Sequence, residues 1–333
     1  MKHEFSFSDE KETIQDLPRV FKQFCLDREV AEEIIYRSNL IAREMASNLS
    51  KYSDDSPELL CHLWDLDAGF VIDMLSMDRG PGFRSGTETD GKKDKNPGLG
   101  IGLEVIHRQA EEYDLYSEPG KGTVVFARIY GSEFISNPFG KLQVGVSLRP
   151  CKGEQRCGDS WNFVNRDCCY FCMSDGLGHG EKAEEASAGV MDYFSAEYER
   201  PPEDFFDELN EKLRGERGAV VARGKIKPDE CLFQCSGVGN IKGSLFLKED
   251  ETPIYFKHGT VGYKNRTPRV FNEKWDRSAD LFLQTDGLKT HWDLDEYPGL
   301  SGKHNAIKAA LAVREFGRPN DDSMLLWISG STQ

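Results

Sequence analysis

The chain has 333 residues, enough for two ordinary domains. Its 57 acidic residues outnumber 42 basic ones, for a net charge of −15, which excludes the broad basic surface that nucleic-acid binding requires. No apolar run approaches the roughly 18 residues of a membrane-spanning helix, and the opening stretch MKHEFSFSDEKE has no apolar secretion-signal core. The expectation is a cytoplasmic protein with neither a nucleic-acid nor a membrane partner.

In chain order, a short strand is expected at His3–Phe7, a helix at Thr13–Leu26 and a longer helix at Glu29–Tyr52. In the long helix Ile34, Ile41, Met45 and Leu49 recur at near-helical spacing. The run LCHLWDLDAGFVIDMLSMDRGPGF reads as paired strands ending in Asp78-Arg79-Gly80-Pro81-Gly82. A polar stretch, GKKDKNP, leads into Gly98-Leu99-Gly100-Ile101-Gly102, a helix at Leu103–Glu112 and the β-branched strand GTVVFARIY. Residues 133–141 lie in a turn-rich linker that separates a first domain, 1–132, from a second, 142–331. From Leu142 strand follows strand: LQVGVSLRP, CCYFCMSD, GAVVARGKI, CLFQCSGVG, GSLFLKED, ADLFLQTDG and SMLLWIS. Helices intervene at Glu181–Arg200, Phe205–Leu213 and Asn305–Phe316. The fold class expected is α+β, several strands packed with a few helices.

The nine cysteines do not spell a metal site. Cys169 and Cys172 form a CxxC, but inside a strand-like run, where alternation sends the two side chains to opposite faces. No second pair follows at zinc spacing. Reduced, buried thiols are expected.

Four acidic positions in the second half share a grammar. Asp159 follows Gly158, Asp175 precedes Gly176 at the end of an apolar strand, Asp286 precedes Gly287 at another, and Asp321 and Asp322 sit just before the last strand. One Asp-Gly at a strand end is most often a turn. Several carboxylates at strand tips suit hard, oxygen-seeking cations such as Mg²⁺ or Mn²⁺, and two such ions about 4 Å apart can activate water for displacement at phosphorus.

The ordered set CGDSW, MSDGLGHG, LQTDGL and NDDSMLLWI resembles the protein phosphatase 2C superfamily, and within it the bacterial SpoIIE-like branch, over residues 142 to 330. YPGL and SGVGNI are similar to the subgroup that acts on stress-response regulators. The resemblance implies an α-β-β-α sandwich and a metal-dependent serine/threonine phosphatase with two Mn²⁺ or Mg²⁺ ions. It implies that Asp175 bridges the metals with the Gly176 carbonyl as a further ligand. Asp286 and Asp321 would complete one shell, and Asp159 would act through bound water. His179 would serve loop shape at least as much as chemistry, and the Asp322 carboxyl would be a neighbour rather than a ligand. Ser323 stands where Thr is more usual.

In the first domain Glu44 and Asn48 are i,i+4 on the long helix, with Lys51 a turn further on. By themselves they read as a polar stripe. The glycines at 98, 100 and 102 follow a polar loop rather than a strand, so a dinucleotide fingerprint is rejected, and there is no GxxxxGK[ST]. What remains is a glycine-rich loop entering a helix whose free N–H groups would receive phosphates. Taken in order, Glu44-x-x-x-Asn48, Asp78-x-Gly80-x-Gly82, the glycines at 98 to 102 and Gly120-x-Gly122-Thr123 resemble the GHKL ATP-binding fold, closest to the anti-sigma serine kinases. That resemblance implies an α/β sandwich, a mixed sheet with helices on one face, binding ATP with Mg²⁺. Asn48 would hold Mg²⁺ near Lys51, Glu44 would be the general base, and Asp78 would take the adenine amino group with Thr123 in support. Glycines 98, 100 and 102 would wrap the phosphates. The charged segment from Arg84 to Pro97 departs from the Ser/Thr-Gly-rich lid of that fold. Two readings stay open for this domain, a kinase of a STAS-type anti-sigma antagonist or stressosome-like partner, and a module that grips ATP and a sigma factor or other switch component without transferring phosphate.

Overall fold

The computed structural model describes residues 4–8, 11–53, 57–66, 69–83, 99–131, 137–154, 156–248, 250–263 and 268–331. The chain forms two compact units. One joins His3–Ile135 with Leu294–Leu311, and the other joins Ser136–Asp293 with Ala312–Gln333.

The first unit contains β1 (Glu4–Ser8), α1 (Lys11–Ile14), α2 (Leu17–Asp27), α3 (Glu32–Tyr52), β2 (Glu58–Leu66), β3 (Gly69–Asp78), α4 (Leu99–Gln109), β4 (Glu112–Glu118) and β5 (Gly122–Tyr130). The helix expected at Thr13–Leu26 is two helices. Pro18 lacks an N–H and fits only the first turn of α2, so the chain breaks around Asp16 and restarts. The sheet order is β1-β2-β3-β5-β4 and every pairing is antiparallel, so the mixed sheet expected here is corrected. Alternation explains one face: Leu59, Cys61, Leu63, Ile72, Met74, Val125, Ala127 and Ile129 share a core with Phe21, Ile34, Ile41 and Met45 of the helices.

The opposite face carries a buried charge. The Arg128 guanidinium donates to both carboxylate oxygens of Asp73, at 2.6 and 2.7 Å, and lies over the rings of Trp64 and Phe126. Burial opposes its charge, but Asp73 and Glu112 outweigh burial and hold it protonated. Onto this face comes the segment Leu294–Leu311, which the sequence reading kept within the second domain. His304 stacks on Phe126 with centroids 4.4 Å apart. Its Nδ1 accepts the Ala306 N–H at 3.0 Å, which leaves the proton on Nε2, 2.9 Å from Glu112. Asp114 accepts from Lys303 Nζ at 3.0 Å and from the His304 N–H at 2.6 Å.

The second unit is built from β6 (Leu142–Arg149), β7 (Asp159–Asn165), β8 (Cys169–Gly176), α5 (Glu181–Glu197), α6 (Pro202–Lys212), β9 (Ala219–Lys227), β10 (Leu232–Val238), β11 (Lys242–Leu247), β12 (Asp250–Ile254), β13 (Phe271–Lys274), β14 (Ala279–Gln284) and β15 (Ser323–Gly330), with α7 (Asn305–Phe316) ending in it. Two five-stranded antiparallel sheets result, β13-β10-β9-β8-β7 and β12-β11-β14-β15-β6. Val190, Phe194, Phe205 and Leu209 of α5 and α6 pack on Cys172, Val221 and Val238 of the first of these sheets. All nine cysteines are free and eight are buried. Cys231, at φ 52° in a left-handed turn, is exposed, against the expectation of uniformly buried thiols.

Burial pushes His304 below its ordinary value of 6.5, and the neighbouring Glu112 only partly opposes this. The folded protein therefore binds this proton more weakly than the unfolded chain. Stability should fall as pH drops through 6.5 and below. Urea unfolding followed from about pH 8 to about pH 5.5 should show a shallower pH slope in His304→Gln than in the wild type. Equal slopes would mean that His304 titrates alike in both states.

Candidate functional site

In the second unit, Asp159 opens β7 and Asp175 nearly closes β8, and the two are direct cross-strand partners. The β7–β8 pairing thus forces two carboxylates to one strand tip. Asp159 is buried. Its Oδ2 accepts from the Thr285 hydroxyl at 2.8 Å, while its Oδ1 is buried with no hydrogen-bond partner. Asp286 follows β14, and its Oδ2 accepts from Asn240 Nδ2 at 2.7 Å. The Asp286 carboxyl group lies close enough to Asp175 to disfavour its ionisation. Asp321 is partly exposed and accepts the Asp322 N–H at 3.0 Å.

Asp322 does a different job. One of its oxygens accepts the Cys151 N–H and the other the Gly158 N–H, each at 2.8 Å. It ties together the two ends of the β6–β7 connection. The glycines of the two Asp-Gly pairs are required by close backbone approach. A Cβ at Gly176 would lie 2.0 Å from the Ala183 carbonyl oxygen of α5, and one at Gly287 would lie 1.7 Å from that of Asp322. Gly178 and Gly180 take left-handed φ of 85° and 75°. His179, between them, is half-exposed and meets Glu154 at 3.0 Å, which fits a part in loop shape.

Electrostatically the cluster is strained. Burial first, then the charges of Asp286 and Asp321, push Asp175 up to about 8. Asp159 is raised well above the carboxylate range by burial and by Asp175. Asp321 is raised by burial and by Asp286. Among the described residues no three His, Cys, Asp or Glu donors are already gathered into a metal-holding geometry. The donors are nonetheless hard oxygens, too many to ionise together, and one of them is buried and unpartnered. That chemistry fits a divalent cation, which would replace the protons the cluster now retains.

In the first unit, the expected residues gather in two groups. Gly102 lies in the first turns of α4 against α3, where a Cβ would come 2.9 Å from Glu44 Oε2 and 3.5 Å from the Asn48 side chain. Gly100 and Gly102 are helical rather than loop residues, because α4 begins at Leu99 and not at Leu103. Gly98 lies outside the described residues. The second group joins Asp78 to Thr123, cross-strand partners in β3 and β5. Asp78 Oδ1 accepts the Gly80 N–H at 2.7 Å, and the Thr123 and Ser117 hydroxyls are 2.9 Å apart. Gly80 is pressed against the Tyr52 carbonyl, and Gly82 has φ 62° against the Glu118 carbonyl. Lys51 is exposed on α3.

Sequence reasoning passed over Thr285 and Asn240, which hold two of the acids. Thr285 could have been found as the residue just before Asp286. Asn240 lies within SGVGNI, but only the fold brings it to Asp286.

The second unit thus holds two antiparallel five-stranded sheets with acids at the strand tips. No family model matches the chain. A stretch of 141 residues, 41% of this chain, is 26% identical to phosphoserine phosphatase RsbX of Bacillus subtilis (strain 168), over 70% of that protein. A solved chain from the bacterial stressosome, described as a modular system adapted to control secondary messenger signalling, matches with TM-score 0.53 and 22% identity, covering 56% of this chain and 99% of its own. The crystal structure of RsbX in complex with magnesium matches with TM-score 0.51 and 23% identity, covering 59% of this chain and 98% of its own.

Because the folded protein holds the Asp175 proton up to about pH 8, the metal-free protein should lose stability as pH rises from 3.8 toward 8. A cation must displace that proton, so thermal stabilisation by Mn²⁺ should be larger at pH 8 than at pH 6. At a hundredfold excess over Kd it should be worth about 2.7 kcal/mol. Asp175→Asn should abolish the Mn²⁺ shift and raise the metal-free melting temperature. A pH-independent Mn²⁺ shift in the wild type would refute this coupling.

Proposed function

We propose that the chain is a metal-dependent serine/threonine protein phosphatase of a bacterial stress-signalling switch, acting in the cytoplasm on a phosphorylated STAS-type anti-sigma antagonist or stressosome-like partner. The observation that carries this reading is the facing pair Asp159–Asp175, with Asp286 and Asp321 beside it and an unpartnered carboxylate oxygen in its interior. The likeness to RsbX supports the choice of a phosphoserine substrate.

Asp175, Asp286, Asp321, Asp159 and the Gly176 carbonyl would hold two Mg²⁺ or Mn²⁺ ions. Such ions, when bound, supply an activated water and charge to stabilise displacement at phosphorus. The rest falls to residues already placed. Thr285 orients Asp159, and Asn240 orients Asp286. Asp322 clamps the two ends of the β6–β7 connection, which leads into Asp159. Hydrolysis of p-nitrophenyl phosphate should require Mn²⁺ and be lost in Asp175→Asn. Activity retained in that variant would overturn the metal-site assignment. Thr285→Val should weaken metal affinity about 10–100-fold, measured by Mn²⁺ titration, as loss of a ligand-orienting partner does.

For the first unit the reading is ATP with Mg²⁺ on Asn48, near Lys51, the adenine on Asp78 with Thr123, and Glu44 as general base. The contact of Glu44 and Asn48 with Gly102 favours a kinase over a simple binder, because it sets a base beside the start of a phosphate-receiving helix. Incubation with γ-labelled ATP and a STAS-domain partner should label the partner, and Glu44→Gln should remove the label. ATP binding with no labelled partner would instead favour the module that grips ATP and a sigma factor or other switch component.

A further inference from the structure

Around the acid cluster, three basic side chains come within electrostatic reach of its carboxylates: His179 and Arg318 act on Asp321, and Lys242 acts on Asp286. His179 is engaged with Glu154 at 3.0 Å. A fourth cation nearby, Arg217, donates to the Leu177 carbonyl at 3.3 Å and so braces the glycine-rich loop. Lys242 and Arg318 remain. Both are exposed, and neither side chain forms an ion pair or hydrogen bond with another described residue.

The backbone fixes both of them beside Asp286. Lys242 opens β11 and is the cross-strand partner of Gln284, two residues before Asp286. Asn240, on the same approach to β11, bonds the Asp286 carboxylate. Arg318 donates its backbone N–H to the Gly287 carbonyl at 2.7 Å, and its own carbonyl accepts the Asp321 N–H at 3.4 Å. Burial first, and the Arg318 charge next, disfavour charge on Lys242, while Asp286 favours it, so all three groups lie within electrostatic reach of one another. Two like charges held close, with their side chains unneutralised, make a site for an anion, and a doubly charged phosphate satisfies both.

We propose that Lys242 and Arg318 are the substrate-binding cations of the second unit, gripping the non-bridging oxygens of a phosphoserine phosphate beside the acid cluster. The inference rests on the phosphatase reading and deepens it: carboxylates alone would repel a phosphate, and this pair makes the rim attractive to one. Arginine offers a planar fork and lysine a point charge, so together they can meet one phosphate from two sides.

The test uses the full chain, loaded with Mn²⁺, in four forms: wild type, Lys242→Gln, Lys242→Arg and the double variant Lys242→Gln/Arg318→Gln. Inorganic phosphate binding by calorimetry is the direct readout, and KM and kcat for a phosphoserine peptide are the second. Each lost cation should weaken phosphate binding and raise KM about tenfold, with kcat changed far less. The Mn²⁺-induced thermal shift should be unaltered, and Lys242→Arg should restore most of the affinity. Phosphate affinity within twofold of wild type in the double variant, with the Mn²⁺ shift intact, would overturn the inference and leave the phosphatase reading standing. Wild type that binds phosphate through these residues but hydrolyses nothing would sink the phosphatase reading and keep the anion site. Wild type that neither binds nor hydrolyses phosphate would overturn both.

Discussion

Two carboxylates face each other across one strand pair, and the second unit is organised around that fact. Like charges directly opposite in a sheet are destabilising, and here one of them is buried. The register cannot slip to relieve them, because a one-residue shift would turn the apolar faces of β7 and β8 outward. Those faces hold Trp161, Phe163, Phe171 and Met173, all essentially buried. Hydrophobic packing, which is non-directional and strong, thus holds in place an electrostatic arrangement that would not form by itself. The repulsion remains as retained protons on Asp159 and Asp175.

A second constraint keeps the tips together. Asp322 spends both oxygens on backbone N–H groups at the two ends of the β6–β7 connection, and Gly287 sits against its carbonyl so closely that no side chain fits. Thr285 then reaches Asp159 while also accepting the Met324 N–H at 2.9 Å. Three loops are locked by one buried acid and one hydroxyl. Preorganisation of this kind lets a cation meet donors already close to their final positions.

Much of this was legible because the chemistry is written in short words. CGDSW, MSDGLGHG, LQTDGL and NDDSMLLWI each place an acid at the end of an apolar run, and period-two strands put those ends where they were expected. The strand β7 was not foreseen, because Asp159–Asn165 carries two asparagines and an aspartate and has little of the apolar grain its neighbours show. The break before α2 was encoded in Pro18 but masked by the apolar periodicity on both sides of it. The start of α4 was misjudged for the opposite reason. Glycine is a poor helix former, yet Gly102 is needed where the helix crowds Glu44 and Asn48, so packing overrode propensity. Thr285 reaches Asp159 and Asn240 reaches Asp286 across long sequence separations, and although LQTDGL and SGVGNI contain them, those words do not name their partners.

The least legible feature is the segment Leu294–Leu311, and the reason is physical. Local sequence reading assigns a segment to its neighbours along the chain, but burial of charge assigns it by need. Arg128 cannot stay buried without acids, and both Asp73 and Glu112 answer it. Glu112 is then served a second time by His304, whose ring also covers Phe126. Asp114, close by, takes both Lys303 and the backbone of His304. Each of these groups would be worse off unpaired in the interior than in water, so the partners come as a set. The first unit is therefore not finished by the residues up to Ile135. A chain cut there would leave the Phe126 ring without its stacking partner and Glu112 and Asp114 without theirs. The two acids that flank this segment in sequence, Asp286 and Asp321, belong to the cluster at the strand tips, so the chain that completes one unit is the same chain that connects two donors of the other.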